Sequence, residues 1–176
     1  MDMHPADREE LRRAIALVAT REVDPWPEEL RTMADLERVL PGSDTRQHTS
    51  DADPAALHEI RSLRDGLAAV LLAPHAPDAA ARLDGLVAAY AITPRVTALG
   101  EPIVYRSARA GLVGHVAERV IGASIAAFST GEARYLHECE ADGCITPFLD
   151  TSPRHNRAYC SDRCSTKMRV RRHRQP

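Results

Sequence analysis

Apolar side chains recur at intervals of three and four positions over most of the chain, which is the period of an amphipathic helix. The first such stripe runs from Leu11 to Val18 behind an acidic turn, and it predicts a helix that ends near Thr20. The most regular stripe runs from Leu57 to Leu71 and follows Asp53 and Pro54, which are typical of a helix N-cap and first turn.

Three further helices and one hairpin are predicted from the same patterns. Thr32 and Asp35 have the spacing of a capping box and open a short helix that ends at residues 41–42, Pro-Gly. A fourth helix starts near residues 77–78 and stops before Pro94, and a long apolar helix over about residues 110–128 is closed by Gly131. Residues 95–106, RVTALGEPIVYR, alternate between polar and apolar and predict a short hairpin with the glycine at its bend.

The composition fits one largely helical domain with a small appendage. Hydrophobic residues make up 44% of the 176 positions and aromatic residues only 4%. We therefore predict a mostly α fold, with a helical domain and small β-hairpin in residues 1–134 and a small module in residues 135–176. No apolar run reaches the roughly 18 residues of a membrane span, and the polar N-terminal stretch lacks a signal-peptide pattern. We expect a cytoplasmic protein with no membrane partner.

All four cysteines lie in the last quarter of the chain, as two close pairs. Four residues separate Cys139 from Cys144, three separate Cys160 from Cys164, and fifteen separate the pairs. With this spacing a chain encloses a tetrahedral zinc ion between four thiolates. Two disulfides or four free thiols are the alternatives, and the expected reducing compartment argues against disulfides. Four sulfurs close the coordination shell, so one structural Zn²⁺ is predicted rather than a catalytic one.

Charge divides the chain into an acidic body and a basic tail. Residues 151–176 carry eight Lys and Arg against one Asp, a net +7, whereas residues 1–150 carry 15 cations against 24 carboxylates, a net −9. Seven of the eight tail cations are arginine, whose planar group binds a phosphate or a guanine edge with two hydrogen bonds. Cations that only complement the helix dipole, or that dock on the acidic body, are the alternative.

The predicted nucleic-acid contacts lie on a helix that follows Cys160. At 100° per residue, four of its cations fall on one stripe and two lie on a further face. The stripe comprises Arg163, Lys167, Arg171 and Arg174, and the further face carries Arg169 and Arg172. Duplex DNA is the predicted partner.

The stretch CEADGCITPFLDTSPRHNRAYCSDRCSTKMRVRRHR resembles a CGNR-type zinc finger, in which two cysteines precede an F-x-D-x-S element and two more precede a basic helix. Phe148, Asp150 and Ser152 match that element. Upstream, the order of the helices and the hairpin resembles the ABATE domain that usually precedes this finger. The resemblance implies a treble-clef-like finger and a role as a bacterial transcription regulator, which in some members is induced by stress.

Five positions depart from the family pattern. The signature Cys-Gly-Asn-Arg reads Cys-Ser-Thr-Lys at residues 164–167, and the tryptophan usual before the third cysteine is Tyr159. In the first helix, ALVATR carries Ala19 where the family has asparagine. The contacts that glycine and asparagine make in the signature are therefore lost. An effector that binds the asparagine of the first helix in other family members would contact Ala19 instead.

Two structural roles are predicted inside the finger. Phe148 is expected to pack under the first cysteine pair. Asp150 is expected to accept a hydrogen bond from backbone amides or from Arg157 and so to orient the loop, although a plain turn-forming role explains it equally well.

Two functions from different classes follow from these observations. The first is a DNA-binding transcription regulator whose helical domain either senses a small-molecule effector or forms a homodimer. The second is a zinc-stapled module that binds a protein or an RNA without reading a DNA sequence. No Ser/His/Asp order, phosphate loop or pair of carboxylates stands out, so we expect no enzyme.

Overall fold

The computed structural model describes residues 3–21, 27–42, 54–98, 101 and 103–174. Within these ranges the fold is mostly α, as predicted. The helices are α1 (Pro5–Ala19), α2 (Met33–Val39), α3 (Pro54–Leu71), α4 (Ala76–Ala89), α5 (Gly111–Thr130) and α6 (Asp162–Arg174). Two antiparallel hairpins pair β1 (Ile92–Arg95) with β2 (Val104–Ser107) and β3 (Leu136–Glu138) with β4 (Pro147–Leu149).

Local signals place most of the helix ends. At α2 the Thr32 hydroxyl accepts a bond from the Asp35 amide at 3.2 Å, and the Asp35 carboxylate accepts one from the Thr32 amide at 2.9 Å. The predicted capping box is therefore confirmed. Helix α1 ends at its C-cap Thr20, and α5 ends at Gly131, whose φ of 79° is left-handed. Asp53, the predicted N-cap of α3, lies outside the described residues.

The first hairpin differs from the prediction in its position. Its strands pair Ile92 with Ser107 and Arg95 with Val104, so β1 starts three residues earlier than expected and includes Pro94. The alternation after Arg95 does not extend the strand, and Val96, the next residue, is 79% exposed. Tertiary contacts hold the hairpin instead: the Ser107 hydroxyl donates to the Tyr90 carbonyl at 2.6 Å. The predicted bend glycine, residue 100, lies outside the described residues.

Helix α5 forms the centre of the helical body, which we define as the described residues from Met3 to Thr130. It packs against α1, α3, α4 and the first hairpin. Glycine at position 122 lets β2 approach, since a Cβ there would lie 2.8 Å from the Tyr105 ring. By length and composition α5 could cross a membrane, but 61% of its most apolar window is buried, as in core helices of soluble proteins.

The last part of the chain docks on the end of this body. A short 3₁₀ helix, Glu132–Tyr135, follows α5 and leads into β3. The amide of Asp150 donates to the Tyr135 carbonyl at 2.8 Å, and Arg8 of α1 pairs with Glu132 at 2.8 Å. Leu136 and Leu149 pack against the core of the helical body. We refer to residues 135–174 as the finger; the division of the chain at residue 134 stays a prediction.

Candidate metal centre and basic helix

The first cysteine pair lies on a tight turn in the segment that connects β3 to β4. The amide of Cys139 donates to the Thr146 carbonyl at 3.2 Å, and the amide of Cys144 donates to the Ala141 carbonyl at 2.8 Å. Gly143 adopts a φ of 72°, a left-handed conformation that costs glycine little. This turn, residues 139–144, brings both sulfurs to one side, and we call it the zinc knuckle.

The second pair opens α6. The Ser161 hydroxyl accepts a bond from the Cys164 amide at 3.3 Å, which identifies Ser161 as the helix cap. The amide of Cys160 donates to the Cys139 sulfur at 3.4 Å, so the residue immediately before the helix cap is bonded directly to the knuckle. Two segments fifteen residues apart in sequence therefore meet through their cysteines.

The four sulfur atoms have the spacing that a zinc ion requires. They all lie within 4.8 Å of one another, and two adjacent sulfur pairs, Cys144 with Cys160 and Cys160 with Cys164, are 3.8 and 3.7 Å apart. A tetrahedron with Zn–S bonds of about 2.3 Å has edges of about 3.8 Å. The predicted ligands Cys139, Cys144, Cys160 and Cys164 thus fit one structural Zn²⁺. Four sulfur ligands would fill all four positions of a tetrahedral ion.

The thiols differ in acidity. Burial raises the pKa of Cys139 and raises that of Cys160 far above its ordinary value, with neighbouring sulfurs adding to the effect at Cys160. Burial alone would also raise the pKa of Cys144, but hydrogen bonds with Thr146 hold it below its ordinary value. Thiolates at such a site need a bound cation, so zinc binding must release protons.

Asp150 organises the loop between the two cysteine pairs. Its carboxylate is 1% exposed and accepts bonds from the amides of Ser152 and Arg157, both at 2.8 Å. Burial alone would raise its pKa, but these bonds hold the pKa at about 2. The predicted acceptor role is therefore seen, with amide donors rather than the Arg157 side chain. Because the folded pKa is depressed, this stabilisation is present above the ordinary pKa and is lost as pH falls toward 2.

The other two residues of the F-x-D-x-S element, Phe148 and Ser152, lie in β4 and in the loop that follows it. Phe148 is 6% exposed in β4, with its ring 5.8 Å from that of His137. Its packing under the knuckle stays a prediction. The Ser152 hydroxyl is buried and makes no hydrogen bond of good geometry among the described residues, but together with the Ser152 amide it helps to lower the pKa of Asp150. His155 stacks on Tyr135 at 3.8 Å.

Two cations of the basic helix have partners on the zinc knuckle. The Lys167 ammonium donates to the Asp142 carbonyl at 2.7 Å, and Arg171 forms an ion pair with the Asp142 carboxylate. Two members of the predicted stripe therefore contact the zinc knuckle. The remaining predicted contacts, Arg163, Arg169, Arg172 and Arg174, are exposed. Asp142 lies inside the knuckle, and a carboxylate at that position could have suggested a partner on the basic helix.

A cavity of about 520 Å³ separates the end of α1 from the finger. Ala19 and Arg21 line it on the side of the helical body, and Cys160 and Arg163 line it on the finger side. Ala19, which replaces the asparagine of the family pattern, thus lines the same cavity as the metal ligand Cys160.

Two family models match the chain. The ABATE model, described as "Putative stress-induced transcription regulator", matches residues 11–132. The CGNR zinc finger model matches residues 135–175. No curated protein matches the chain. Both resemblances seen in the sequence are therefore confirmed, and the matched ranges correspond to the helical body and the finger.

Proposed function

Because the chain belongs to the ABATE family and carries a CGNR zinc finger, we propose that it is a transcription regulator that binds duplex DNA through α6. The observation that carries this proposal is a closed four-sulfur cluster at the start of a helix whose exposed surface is rich in arginine. At 1.5 Å per residue a 13-residue helix is about 20 Å long, which suits the major groove.

Zinc supplies the order that this helix lacks on its own. None of the residues of α6 is buried, so packing alone cannot hold its orientation. The cysteine cluster joins the zinc knuckle to the start of α6, where the Cys160 amide bonds to the Cys139 sulfur. Asp150 orders the loop between the two cysteine pairs. In this proposal the metal positions cationic side chains and performs no reaction, and the protein is not an enzyme.

The acidic body keeps DNA at the finger. Residues 1–134 carry 15 arginines against 20 carboxylates, a net −5, which repels phosphates and directs them to the +7 tail of residues 151–176. For the body we propose a regulatory role in the cytoplasm, as a sensing or dimerising domain. The cavity beside Ala19 supports the sensing version because it joins the body to the metal centre.

The test is a titration of labelled duplex DNA with zinc-loaded protein at 50 and 200 mM salt. If two to four of the exposed arginines each neutralise one phosphate, the affinity should fall by about one to two orders of magnitude between these concentrations. Cys160→Ser should lose both the zinc and the binding. Binding that is absent or insensitive to salt would refute the proposal, and parallel titrations with RNA and a pulldown would then address the alternative module.

A further inference from the structure

The knuckle side of the basic helix carries negative charge of its own. Glu138, Glu140 and Asp142 are all exposed on or beside the zinc knuckle. The Asp142 carboxylate pairs with Arg171, and its carbonyl accepts from Lys167. A phosphate that approached these two cations would meet the carboxylates as well, and it would have to displace Asp142 from Arg171.

The opposite side of the helix has no such partners. At about 100° per residue, Arg169 lies about 180° around the helix from the midpoint of Lys167 and Arg171. Arg172 lies about 60° from Arg169. Neither Arg169 nor Arg172 has a hydrogen bond or ion pair to any part of the chain that the structure describes. Ser165 and Thr166, the first two residues after Cys164, are exposed on the same side.

From this arrangement we infer a division of labour within α6, which rests on the proposed function. The nucleic-acid surface is the outer face, made up of Ser165, Thr166, Arg169, Arg172 and His173. Lys167 and Arg171 instead latch the helix to the zinc knuckle. The short hydroxyl side chains at 165 and 166 let the helix approach base edges closely, where serine and threonine can bond to donors and acceptors alike.

The latch is a modest interaction, and its expected effect is correspondingly small. The side chains of Arg171 and Asp142 are 53% and 48% exposed, so solvent screens their attraction. Exposed pairs of this kind change an equilibrium by about two- to fivefold. Removing the two latch cations should therefore weaken zinc binding by that factor without unfolding the finger.

The test compares two double variants that remove equal charge from the same helix. Arg169→Ala with Arg172→Ala changes the outer face, and Lys167→Ala with Arg171→Ala changes the latch. For each, the slope of log affinity for duplex DNA against log salt is measured, together with zinc affinity in competition with a chromophoric chelator. One zinc per chain and an unchanged helix signal confirm that both variants are folded.

The outer-face variant should reduce the salt slope by about two, since each phosphate contact contributes about 0.9, and should leave zinc affinity unchanged. The latch variant should change the slope by less than about 0.5 and weaken zinc two- to fivefold. A latch variant that loses as much slope as the outer-face variant would overturn the inference.

Failure of the proposed function gives a different result. If the unmodified protein binds no duplex in a salt-dependent way, the outer face loses its assigned role. The zinc competition then decides the latch by itself: an unchanged zinc affinity after Lys167→Ala with Arg171→Ala removes that assignment too.

Discussion

Removal of zinc should unfold the finger and leave the helical body folded. Among the described residues of the finger few are buried, namely Cys139, Ala141, Pro147, Phe148 and Asp150, and only Phe148 is a large apolar group. Burying one such ring contributes about 1.5–3 kcal/mol, whereas zinc in finger peptides contributes on the order of 10 kcal/mol. The metal therefore supplies most of the stability of the finger.

The body has a core that does not depend on the metal. Its fully buried side chains lie between Leu11 and Ala127, and of the finger residues that the structure describes only Leu136 and Leu149 pack against that core. Helix α6 has 13 residues, compared with 18 in α3 and 20 in α5. Most of the far-UV helix signal should therefore persist after chelation.

Amide hydrogen exchange with and without a chelator measures this directly. The amides of Glu140, Cys144 and Cys160, which bond within the finger, should lose protection, by up to about seven orders of magnitude if the full zinc contribution applies. Amides of α5 should keep theirs, and added zinc should restore the finger. Retained protection at Cys160 in the metal-free protein, or melting of α5 with the finger, would refute the reasoning.

Three further predictions concern the helical body. Glu28→Gln should lower the free energy of unfolding by about 2 kcal/mol in denaturant titrations, because Arg64 is 3% exposed and bonds to Glu28 at 2.6 Å. Glu59→Gln is the control: its pair with Arg109 is half-exposed, so the change should cost under about 0.5 kcal/mol. Equal costs for the two variants would contradict this. Burial alone would raise the pKa of Glu28, but bonds from Arg64 lower it. The contribution of Glu28 to the free energy of unfolding should therefore be present above the ordinary pKa of 4.5 and fade as the pH falls below it. The Gln variant should lack this part of the pH dependence. Gly131→Ala should cost about 1 kcal/mol in thermal unfolding, since its φ is 79°, whereas Gly85→Ala, which meets no atom within 4 Å, should be neutral or stabilising.

The features that sequence alone predicted correctly are local. The capping box of Thr32 and Asp35 joins residues three positions apart, and the left-handed Gly131 closes α5 by itself. Such interactions form wherever the segment is helical, so a single sequence suffices to find them. The hairpin was predicted, but its strands start at Ile92 and end at Ser107, outside the alternating residues 95–106. Ser107 bonds to Tyr90, which is a contact between segments that alternation cannot detect.

The metal centre followed from sequence for a similar reason. The spacing of the four cysteines and the demands of tetrahedral coordination leave few other ways to use them, so the ligand set needed no knowledge of the fold. Helical periodicity likewise identified the cations of α6. It treated them as equivalent, because periodicity describes the helix in isolation.

Tertiary structure decided what those cations do. Only the folded chain brings Asp142 of the knuckle against Lys167 and Arg171, twenty-five and twenty-nine positions later, and leaves Arg169 on the opposite side. Only the fold turns the Asp150 carboxylate toward two amides. Charge and spacing can be read along the chain, but the partner of a charged group depends on long-range geometry, which packing and the metal cluster impose.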